Sequence, residues 1–458
     1  MKIFLFILMC IYIHTILKNI IALIYTNKLL KNAKKSITYN LDEKYEKNVY
    51  LIIPMLNEQK IANETYLNFK TIVDEMENVK VMFITTSKEK KEISKETTFE
   101  ILEKLVKNEK KMFVYNYDNK NGVMAHQINY AIRIILKQRG KNEKILIGVY
   151  NADSQIHSDV IRYILNDDKK RNINDRVCYQ QYSWYRIKND KNKKEIIQSA
   201  ALWQTRWSLT FEIFRVKQQR IINIIYNYFN KIKFFIPFNK MFYVIFEKMN
   251  YVIGHGFFIN IDLLKDLGGI PEDTINEDAF LGYLINNKNI KIEVIPYLEK
   301  ADFAPNTSIY IKQQATWVNG PIYAFQYYKL YLKKEKLSIK EKIRAFILAI
   351  KLFFHFIYWL ISPYILLFIM PILLFKYYST SGLLISFLII FLHLPFTHYL
   401  VRKVVLNNIK KEEYCELSKS SVFCIIFFLV HTFGPIKNIY MQLLGKNNKE
   451  NKYKTERE

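Results

Sequence analysis

Long apolar segments near both ends of the chain constrain its fold more than any other feature. Residues 3–25 are apolar apart from His14, Thr15, Lys18 and Asn19. A helix of this length rises about 34 Å, which is enough to cross the hydrocarbon core of a bilayer. A cleaved signal peptide would have a shorter apolar core and small residues at a cleavage site, which the following residues do not offer. We therefore expect the first segment to be a membrane anchor.

The other end of the chain carries two more segments of membrane-spanning length, residues 352–375 and 383–400, and a shorter third candidate, residues 422–433. Lysines follow the N-terminal segment and precede the first of these, so the positive-inside rule places the middle section in the cytoplasm. These lysines are Lys28, Lys31, Lys34, Lys35, Lys333, Lys334, Lys336, Lys340 and Lys342. Three C-terminal crossings would place the lysine-rich tail outside, so we expect one segment to be re-entrant or interfacial. The prediction is a multi-pass protein of the cell membrane.

The same pattern divides the chain into four regions. Residues 1–27 are the predicted membrane anchor, and residues 45–330 are a predicted cytoplasmic domain. Residues 331–436 are predicted interfacial and transmembrane helices, and residues 437–458 are a basic tail. Half of the 458 residues are apolar, so a sizeable core is possible without disulfides.

The formal net charge of +26 favours anionic partners. Nucleic acid, acidic lipid headgroups and nucleotide phosphates all qualify. The chain has no arginine-rich run interleaved with aromatic residues, so we expect no nucleic-acid partner. The four cysteines show no C-x-x-C spacing, which argues against a zinc site and against a secreted disulfide framework.

The middle section alternates between short apolar runs and stretches with helical spacing, which predicts a mainly parallel sheet covered on both faces. Ligands of such sheets bind outside the carboxyl ends of the strands. The predicted strands are residues 49–53, 79–85, 112–117 and 144–150, and the predicted helices are residues 61–76, 98–106 and 124–137.

All four predicted strands end in polar residues. Any one of these ends is readily explained as an ordinary turn or helix cap, but four in succession favour a binding site. The chain lacks G-x-G-x-x-G after the first strand and lacks a P-loop, which excludes the usual dinucleotide and P-loop fingerprints. The four ends are Pro54-Met55-Leu56-Asn57-Glu58, Thr85-Thr86-Ser87, Asp118-Asn119-Lys120-Asn121-Gly122 and Asn151-Ala152-Asp153.

Four stretches, in the order VYLIIPMLNEQ, VYNADSQ, GHGFFINIDLLKDLGGIPEDTINEDAFLGYLI and QQATW, resemble the membrane-bound family 2 glycosyltransferases, which include polysaccharide synthases. The resemblance runs from about residue 48 to about residue 320. It implies an α/β fold, a GT-A-like mainly parallel sheet domain in the cytoplasm, flanked by N-terminal and C-terminal transmembrane helices.

The resemblance also implies a donor site. Asp153 matches the metal-binding acid of the family's D-x-D motif, where Mg²⁺ or Mn²⁺ would neutralise the donor diphosphate. Asn151 replaces the usual first Asp, and Thr85 stands where many members have an Asp that contacts the base. The expected donor-binding residues are Pro54, Asn57, Glu58, Thr85, Lys120, Asn151 and Asp153.

Asn276-Glu277-Asp278 matches the family's T-E-D motif, which implies that Asp278 is the general base and that Glu277 supports it. We expect Asp278 to open an amphipathic helix that runs to Ile285. An acid in the first turn of a helix is also favoured by the helix dipole alone. The preceding Gly-Gly-Ile-Pro at residues 268–271 favours the functional interpretation.

Gln313, Thr316 and Trp317 align with the Q-x-x-R-W motif, and the resemblance implies that they form the acceptor site. In the family, the tryptophan stacks on the acceptor sugar and the glutamine and arginine contact the donor phosphates. Thr316 replaces the arginine, and threonine cannot make a bidentate phosphate contact. A second stretch, residues 204–207 (QTRW), is one residue too short and precedes the acid motif, so we interpret it as a polar helical turn that resembles the motif by chance.

Together these features predict an integral membrane glycosyltransferase of hexosyltransferase type, acting in polysaccharide biosynthesis by metal-dependent, inverting transfer. Its expected partners are a nucleotide-sugar donor, in the first place a UDP-sugar, a lipid-linked or polysaccharide acceptor, and membrane lipids. The departures at Asn151, Thr85 and Thr316 leave a second hypothesis, a non-catalytic relative that binds nucleotide or glycan and regulates a partner synthase.

Overall fold

The computed structural model describes residues 2–35, 45–89, 96–119, 122–172, 175–187, 195–232 and 236–445. The predicted donor residue Lys120 lies outside the described residues, as does most of the predicted basic tail, residues 446–458.

A seven-stranded sheet forms the centre of the fold, with the strand order β3-β2-β1-β4-β6-β5-β7. Strand β6 is antiparallel to both of its neighbours, and the other pairings are parallel. The mainly parallel sheet expected from the sequence is therefore confirmed. The strands are β1 (Asn48–Pro54), β2 (Val79–Thr86), β3 (Met112–Tyr117), β4 (Ile145–Val149), β5 (Val177–Arg186), β6 (Phe257–Asn260) and β7 (Lys291–Asp302).

The helices of the first two thirds of the chain either cover the sheet or follow it at its carboxyl edge. They are α1 (Lys2–Lys35), α2 (Ala62–Glu75), α3 (Thr98–Val106), α4 (Met124–Gln138), α5 (Ser158–Lys169), α6 (Glu195–Trp207), α7 (Ile213–Lys231), α8 (Ile236–Phe246), α9 (Ile261–Asp266) and α10 (Glu277–Asn287).

The remaining helices are α11 (Thr307–Trp317), α12 (Asn319–Ile322), α13 (Ala324–Lys334), α14 (Ile339–Tyr364), α15 (Met370–Phe391), α16 (Thr397–Leu406), α17 (Cys424–Val430) and α18 (Phe433–Leu443). Single π-helical turns join α6 to α7 (Ser208–Glu212), α14 to α15 (Ile365–Ile369) and α15 to α16 (Leu392–Phe396).

Alternate residues of the central strands pack into different cores. Val49, Leu51 and Ile53 of β1 belong to a cluster with residues of α2, α3 and α5, whereas Tyr50 and Ile52 belong to a cluster with residues of α4 on the opposite face. A strand buried on both faces needs apolar side chains at every position, which explains the continuous apolar runs in the sequence. Every strand and helix predicted between residues 49 and 150 is present, with no bound differing by more than one residue.

Three helical stretches are long and apolar enough to cross a membrane: Lys2–Ala33, Ile339–Leu406 and Cys424–Leu443. The second stretch reverses direction at Ser379, whose φ of 53° is not helical. A Cβ built on Gly382 would lie only 2.2 Å from the carbonyl oxygen of Leu374, so the two arms meet directly after the turn. The third apolar segment continues to Leu443, ten residues beyond the predicted end.

Helix α1 packs against parts of the chain that are distant in sequence. The Tyr12 hydroxyl donates to the carbonyl oxygen of Ser362 at 3.1 Å, and the Thr26 hydroxyl donates to that of Leu209 at 2.9 Å. Leu23 and Leu30 of the same helix join the core on the α4 face of the sheet. Helix α1 is therefore built into the fold rather than attached to it by a linker.

Candidate active site

A cavity of about 1030 Å³ lies between the carboxyl edge of the sheet and the apolar helices. It is lined both by residues of the sheet domain and by residues of α1, α6, α7, α11 and α14. Eight residues of the three sequence motifs line this one cavity: Asn151, Asp153, Asn276, Glu277, Asp278, Gln313, Thr316 and Trp317.

Asn151 and Asp153 lie in the turn after β4, which ends the strand at the cavity. The backbone N–H of Asn151 donates to Ser154 Oγ at 3.1 Å, and the Thr65 hydroxyl of α2 donates to the carbonyl oxygen of Ala152 at 2.7 Å. These bonds fix the turn from both sides. Both side chains are half-buried, so the Asp153 carboxylate keeps access to the cavity.

The structure also bears on a metal at Asp153. Among the described residues, no three His, Cys, Asp or Glu side chains form a group that could hold a metal ion. Magnesium bound with a nucleotide commonly uses one or two carboxylates and takes its other ligands from phosphates and water. Asp153 with the amide oxygen of Asn151 fits that smaller set of protein ligands.

The acid motif lies at the first turn of α10. One Asp278 carboxylate oxygen accepts the backbone N–H of Ala279 at 2.7 Å, and the other would lie 3.5 Å from a Cβ built on Gly254. The side-chain amide of Asn276 donates to the carbonyl oxygen of Trp317 at 3.3 Å. The expectation of an amphipathic helix was wrong, because every residue of α10 except Asp278 is buried and the helix packs against α12, α13 and α14.

Helix α11 carries the third motif. Gln313, Thr316 and Trp317 face the cavity, but the Thr316 hydroxyl donates to the carbonyl oxygen of Lys312 in the preceding turn at 3.2 Å. Threonine carries no charge, and this hydroxyl is already used within the helix, so Thr316 does not replace the phosphate contact of an arginine. Helix α18 supports this helix from behind, since the Asn438 amide donates to the carbonyl oxygen of Ala315 at 2.6 Å.

The predicted donor residues of the first two strands do not line the cavity. Thr85 is fully buried and its hydroxyl donates to Asn116 Oδ1 at 3.1 Å, within the sheet. Asn57 is exposed with φ of 51°, Glu58 is buried, and Pro54 ends β1. These residues share the carboxyl edge of the sheet with Asp153, but the structure does not bring them to the same wall.

Residues 204–207, interpreted from sequence as a chance resemblance, lie on the cavity wall with Gln204, Arg206 and Trp207. The Arg206 guanidinium carbon is 3.8 Å from the centre of the Trp203 ring, and its Nε is buried without a hydrogen bond to any described residue. The Gln, Arg and Trp of this stretch resemble the Q-x-x-R-W motif and could have indicated a place at the site. The position of the stretch before the acid motif argued against that interpretation.

A buried ion pair at the cavity was not apparent from the sequence. His255 Nδ1 lies 2.7 Å from a carboxylate oxygen of the fully buried Glu299, which also accepts from the Ser183 hydroxyl at 3.2 Å. Burial alone would lower the pKa of His255, but Glu299, with a smaller contribution from Asp153, raises it to about 9. An imidazolium therefore faces the cavity at neutral pH.

Comparison with known proteins identifies the domain. Residues 178–400 match the model of the family described as Glycosyl transferase family group 2. These residues, just under half of the chain, are a family 2 glycosyltransferase region. The matched residues of this enzyme begin in β5 and extend into α16, so they include Asp278, Gln313 and Trp317 and exclude Asp153.

Solved structures give distant similarities to the enzyme. The mannosyltransferase PcManGT from Pyrobaculum calidifontis, in complex with GDP-Man and Mn²⁺, is 13% identical with a TM-score of 0.41, covering 94% of this chain and 98% of that one. TarS 1–349 from S. aureus is 13% identical with a TM-score of 0.38, covering 80% and 89% respectively. No curated protein sequence matches the chain.

Proposed function

We propose that this glycosyltransferase is an integral membrane enzyme that transfers a sugar, with inversion, from a nucleotide-sugar donor to a lipid-linked or polysaccharide acceptor. The observation that carries the proposal is one cavity lined by Asp153 of the sheet edge, Asp278 of α10 and Trp317 of α11. Helices long and apolar enough to cross a membrane form the opposite wall. A membrane-bound acceptor would therefore approach the two acids from that wall of the cavity.

In the proposed reaction, an acceptor hydroxyl oxygen attacks the anomeric carbon of the donor sugar. The new carbon–oxygen bond forms as the bond to the diphosphate breaks, and the nucleoside diphosphate leaves with the electron pair. Asp278 takes the hydroxyl proton, a contribution of about 10²–10⁴ in rate for a positioned general base. Gly254 leaves the carboxylate accessible because it carries no side chain beside it.

The leaving diphosphate needs positive charge near Asp153. A divalent cation bound by Asp153, with the Asn151 amide oxygen, would supply that charge when it arrives with the donor. His255 adds a fixed cation on the same wall, and its ion pair with buried Glu299 holds the imidazolium in place. We place the sheet domain in the cytoplasm, on the basis of the lysines that flank the apolar segments.

Donor turnover tests the proposal. Purified full-length protein, with Mn²⁺ and a panel of UDP-, GDP- and dTDP-sugars, is assayed for nucleotide release and compared with Asp278→Asn. Asp273→Asn is the matched control, because Asp273 lies in the same loop, is exposed and pairs with Lys334 outside the cavity. Loss of turnover in the first variant alone supports the proposal. Equal nucleotide release by wild type and Asp278→Asn contradicts it, and tight binding of a donor that is never consumed favours a regulatory role.

A further inference from the structure

A second set of cations lies on the part of the cavity wall formed by α1 and α7. Lys18 of α1 and Arg215 of α7 contact the same aromatic ring, with Lys18 Nζ at 5.5 Å and the Arg215 guanidinium carbon at 4.6 Å from the centre of Phe211. Both side chains line the cavity, as does Lys248. The mechanism proposed above gives these groups no role.

Arg215 has an unused hydrogen-bond donor. It is only 8% exposed, and its Nη2 lies 3.1 Å from His355 Nε2 while its guanidinium also contacts the Tyr251 ring. Its Nη1 is buried and makes no hydrogen bond with any described residue. Within the described part of the chain, neither Arg215 nor Lys18 forms a salt bridge with a carboxylate.

Glu212, an acid that lines the same cavity, offsets the charge of these cations only in part. Burial raises the pKa of Glu212 to about 7, and hydrogen bonds from Ser208 and Trp207 only partly offset that effect. Near neutral pH both the protonated and the ionised form of this carboxyl group are therefore populated. A buried charge without a counter-ion is costly, and Lys18 lies within a helix of membrane-spanning character, where an ionisable side chain is costly too.

The entrance beside these cations is apolar. Ile245 and Phe246 at the end of α8 and Phe354 of α14 line the cavity, yet they are 50%, 48% and 61% exposed. The neighbouring faces of α7 and α8 continue this surface with exposed apolar residues, as expected of helices that lie in a membrane interface. These residues are Ile221, Ile224, Ile225, Tyr228, Ile232 and Met241.

We propose that Lys18 and Arg215 bind the phosphate of a lipid-linked saccharide acceptor, whose hydrocarbon chain leaves between α8 and α14. This inference rests on the proposed function and names its acceptor class. The segment that contacts Arg215 through Tyr251 reaches Asp278 at Gly254, three residues on, and the Cα atoms of Tyr251 and Gly254 are at most about 11 Å apart. The phosphate keeps its bonds while a hydroxyl of the attached saccharide reaches Asp278.

Binding of simple probes tests the site without turnover. Full-length protein in phosphatidylcholine nanodiscs is titrated with farnesyl phosphate, farnesol, inorganic phosphate and UDP. We expect farnesyl phosphate to bind at least about tenfold more tightly than farnesol or inorganic phosphate. We expect Lys18→Gln and Arg215→Gln each to weaken farnesyl phosphate about tenfold, Arg215→Lys to weaken it less, and none of them to change UDP binding.

Lys28→Gln is the matched control, because Lys28 is an exposed lysine of the same helix outside the cavity. Equal binding of farnesol and farnesyl phosphate overturns the proposal, as does binding that survives both Lys18→Gln and Arg215→Gln. Inorganic phosphate binding as tightly as farnesyl phosphate identifies a free-anion site instead. Weakened UDP binding in the same variants assigns the cations to the donor, which also overturns it. Failure of the proposed function is distinguishable, because it would show as absent donor turnover whatever these titrations give.

Discussion

The side-chain amide of Asn276 donates a 3.3 Å hydrogen bond to the main-chain carbonyl oxygen of Trp317. This bond joins the turn that carries Glu277 and Asp278 to the end of the helix that carries Gln313 and Trp317. The proposed base and the predicted acceptor-side aromatic residue are thereby held in a fixed relation.

Replacing Asn276 with Leu removes that bond and keeps the number and branching of the side-chain heavy atoms. We expect kcat to fall about tenfold or more, because small displacements of a reacting group are costly, while the KM for the donor changes little. Steady-state kinetics of the variant measures both values. Asn142→Leu, in the exposed turn before β4, is the control and is expected to match wild type. A variant with unchanged kcat would show that the bond does not position Asp278.

Asn151→Asp adds a carboxylate to the ligands expected at Asp153. Because Mg²⁺ and Mn²⁺ prefer charged oxygen ligands, we expect the Mn²⁺ concentration for half-maximal activity to fall about tenfold. Activity is measured over a Mn²⁺ titration at saturating donor. Asp153→Asn is the opposite change and is expected to abolish the metal response. An unaltered Mn²⁺ requirement in both variants would place the metal elsewhere.

His255 predicts a pH dependence of stability. Its folded pKa of about 9 lies above the ordinary value of 6.5, so the Glu299 ion pair contributes fully below about pH 6.5 and is lost as the pH rises through 9. We expect the unfolding temperature of wild type to fall between pH 6.5 and 9.5, and to fall less in His255→Gln. Tryptophan fluorescence during heating follows unfolding. His14→Gln, at an exposed site, is expected to keep the wild-type slope.

Arg206 supplies a guanidinium to a cavity in which Thr316 supplies none. We expect Arg206→Gln to lower kcat/KM about tenfold or more, since charge-assisted hydrogen bonds to phosphate exceed neutral ones. Nucleotide release at low donor concentration measures this ratio. Arg176→Gln removes the same charge at an exposed site away from the cavity and is the control. Equal ratios in both variants would return residues 204–207 to a purely structural role.

Gly434 of α18 lies directly against α11. A Cβ at this position would be 2.5 Å from the Gln314 Cβ and 3.0 Å from the Ala315 nitrogen, so the helices must separate to accept it. Gly→Ala in a helix would otherwise gain about 1 kcal/mol, but overpacking costs about 1–3 kcal/mol. We expect Gly434→Ala to lower the unfolding temperature and activity. Gly140→Ala, with its nearest neighbour at 3.8 Å, is the control.

The sequence predicted the first half of the sheet closely, because β1 and β4 are buried on both faces and read as unbroken apolar runs. Strand β5 is also fully buried, but its Val177–Arg186 segment contains two glutamines, a serine and an arginine, so no apolar run marks it. Its polar side chains are satisfied across the chain, as in the bond from Gln180 Nε2 to the carbonyl oxygen of His255 at 2.8 Å.

The motif residues could be placed together from their positions at strand ends and helix starts, as Asp153 and Asp278 illustrate. Lys18, Arg206 and Arg215 could not, because their proximity depends on how α1, α6 and α7 pack around the cavity. Local sequence shows basic residues in three separate helices and does not relate them to one another. All three side chains face the cavity because of long-range packing, which cannot be predicted from a local sequence pattern.

The bond between Tyr12 and Ser362 has a consequence for the order in which the enzyme can be completed. Its two residues are 350 positions apart, and Asn27 meets Asn408 across a still longer interval. At about 5–20 residues per second, a ribosome needs about 20–70 s to make the intervening chain. During that interval α1 is without its C-terminal neighbours, and Lys18 has surroundings other than those of the finished cavity. The cavity is therefore closed last, when the C-terminal helices arrive against α1.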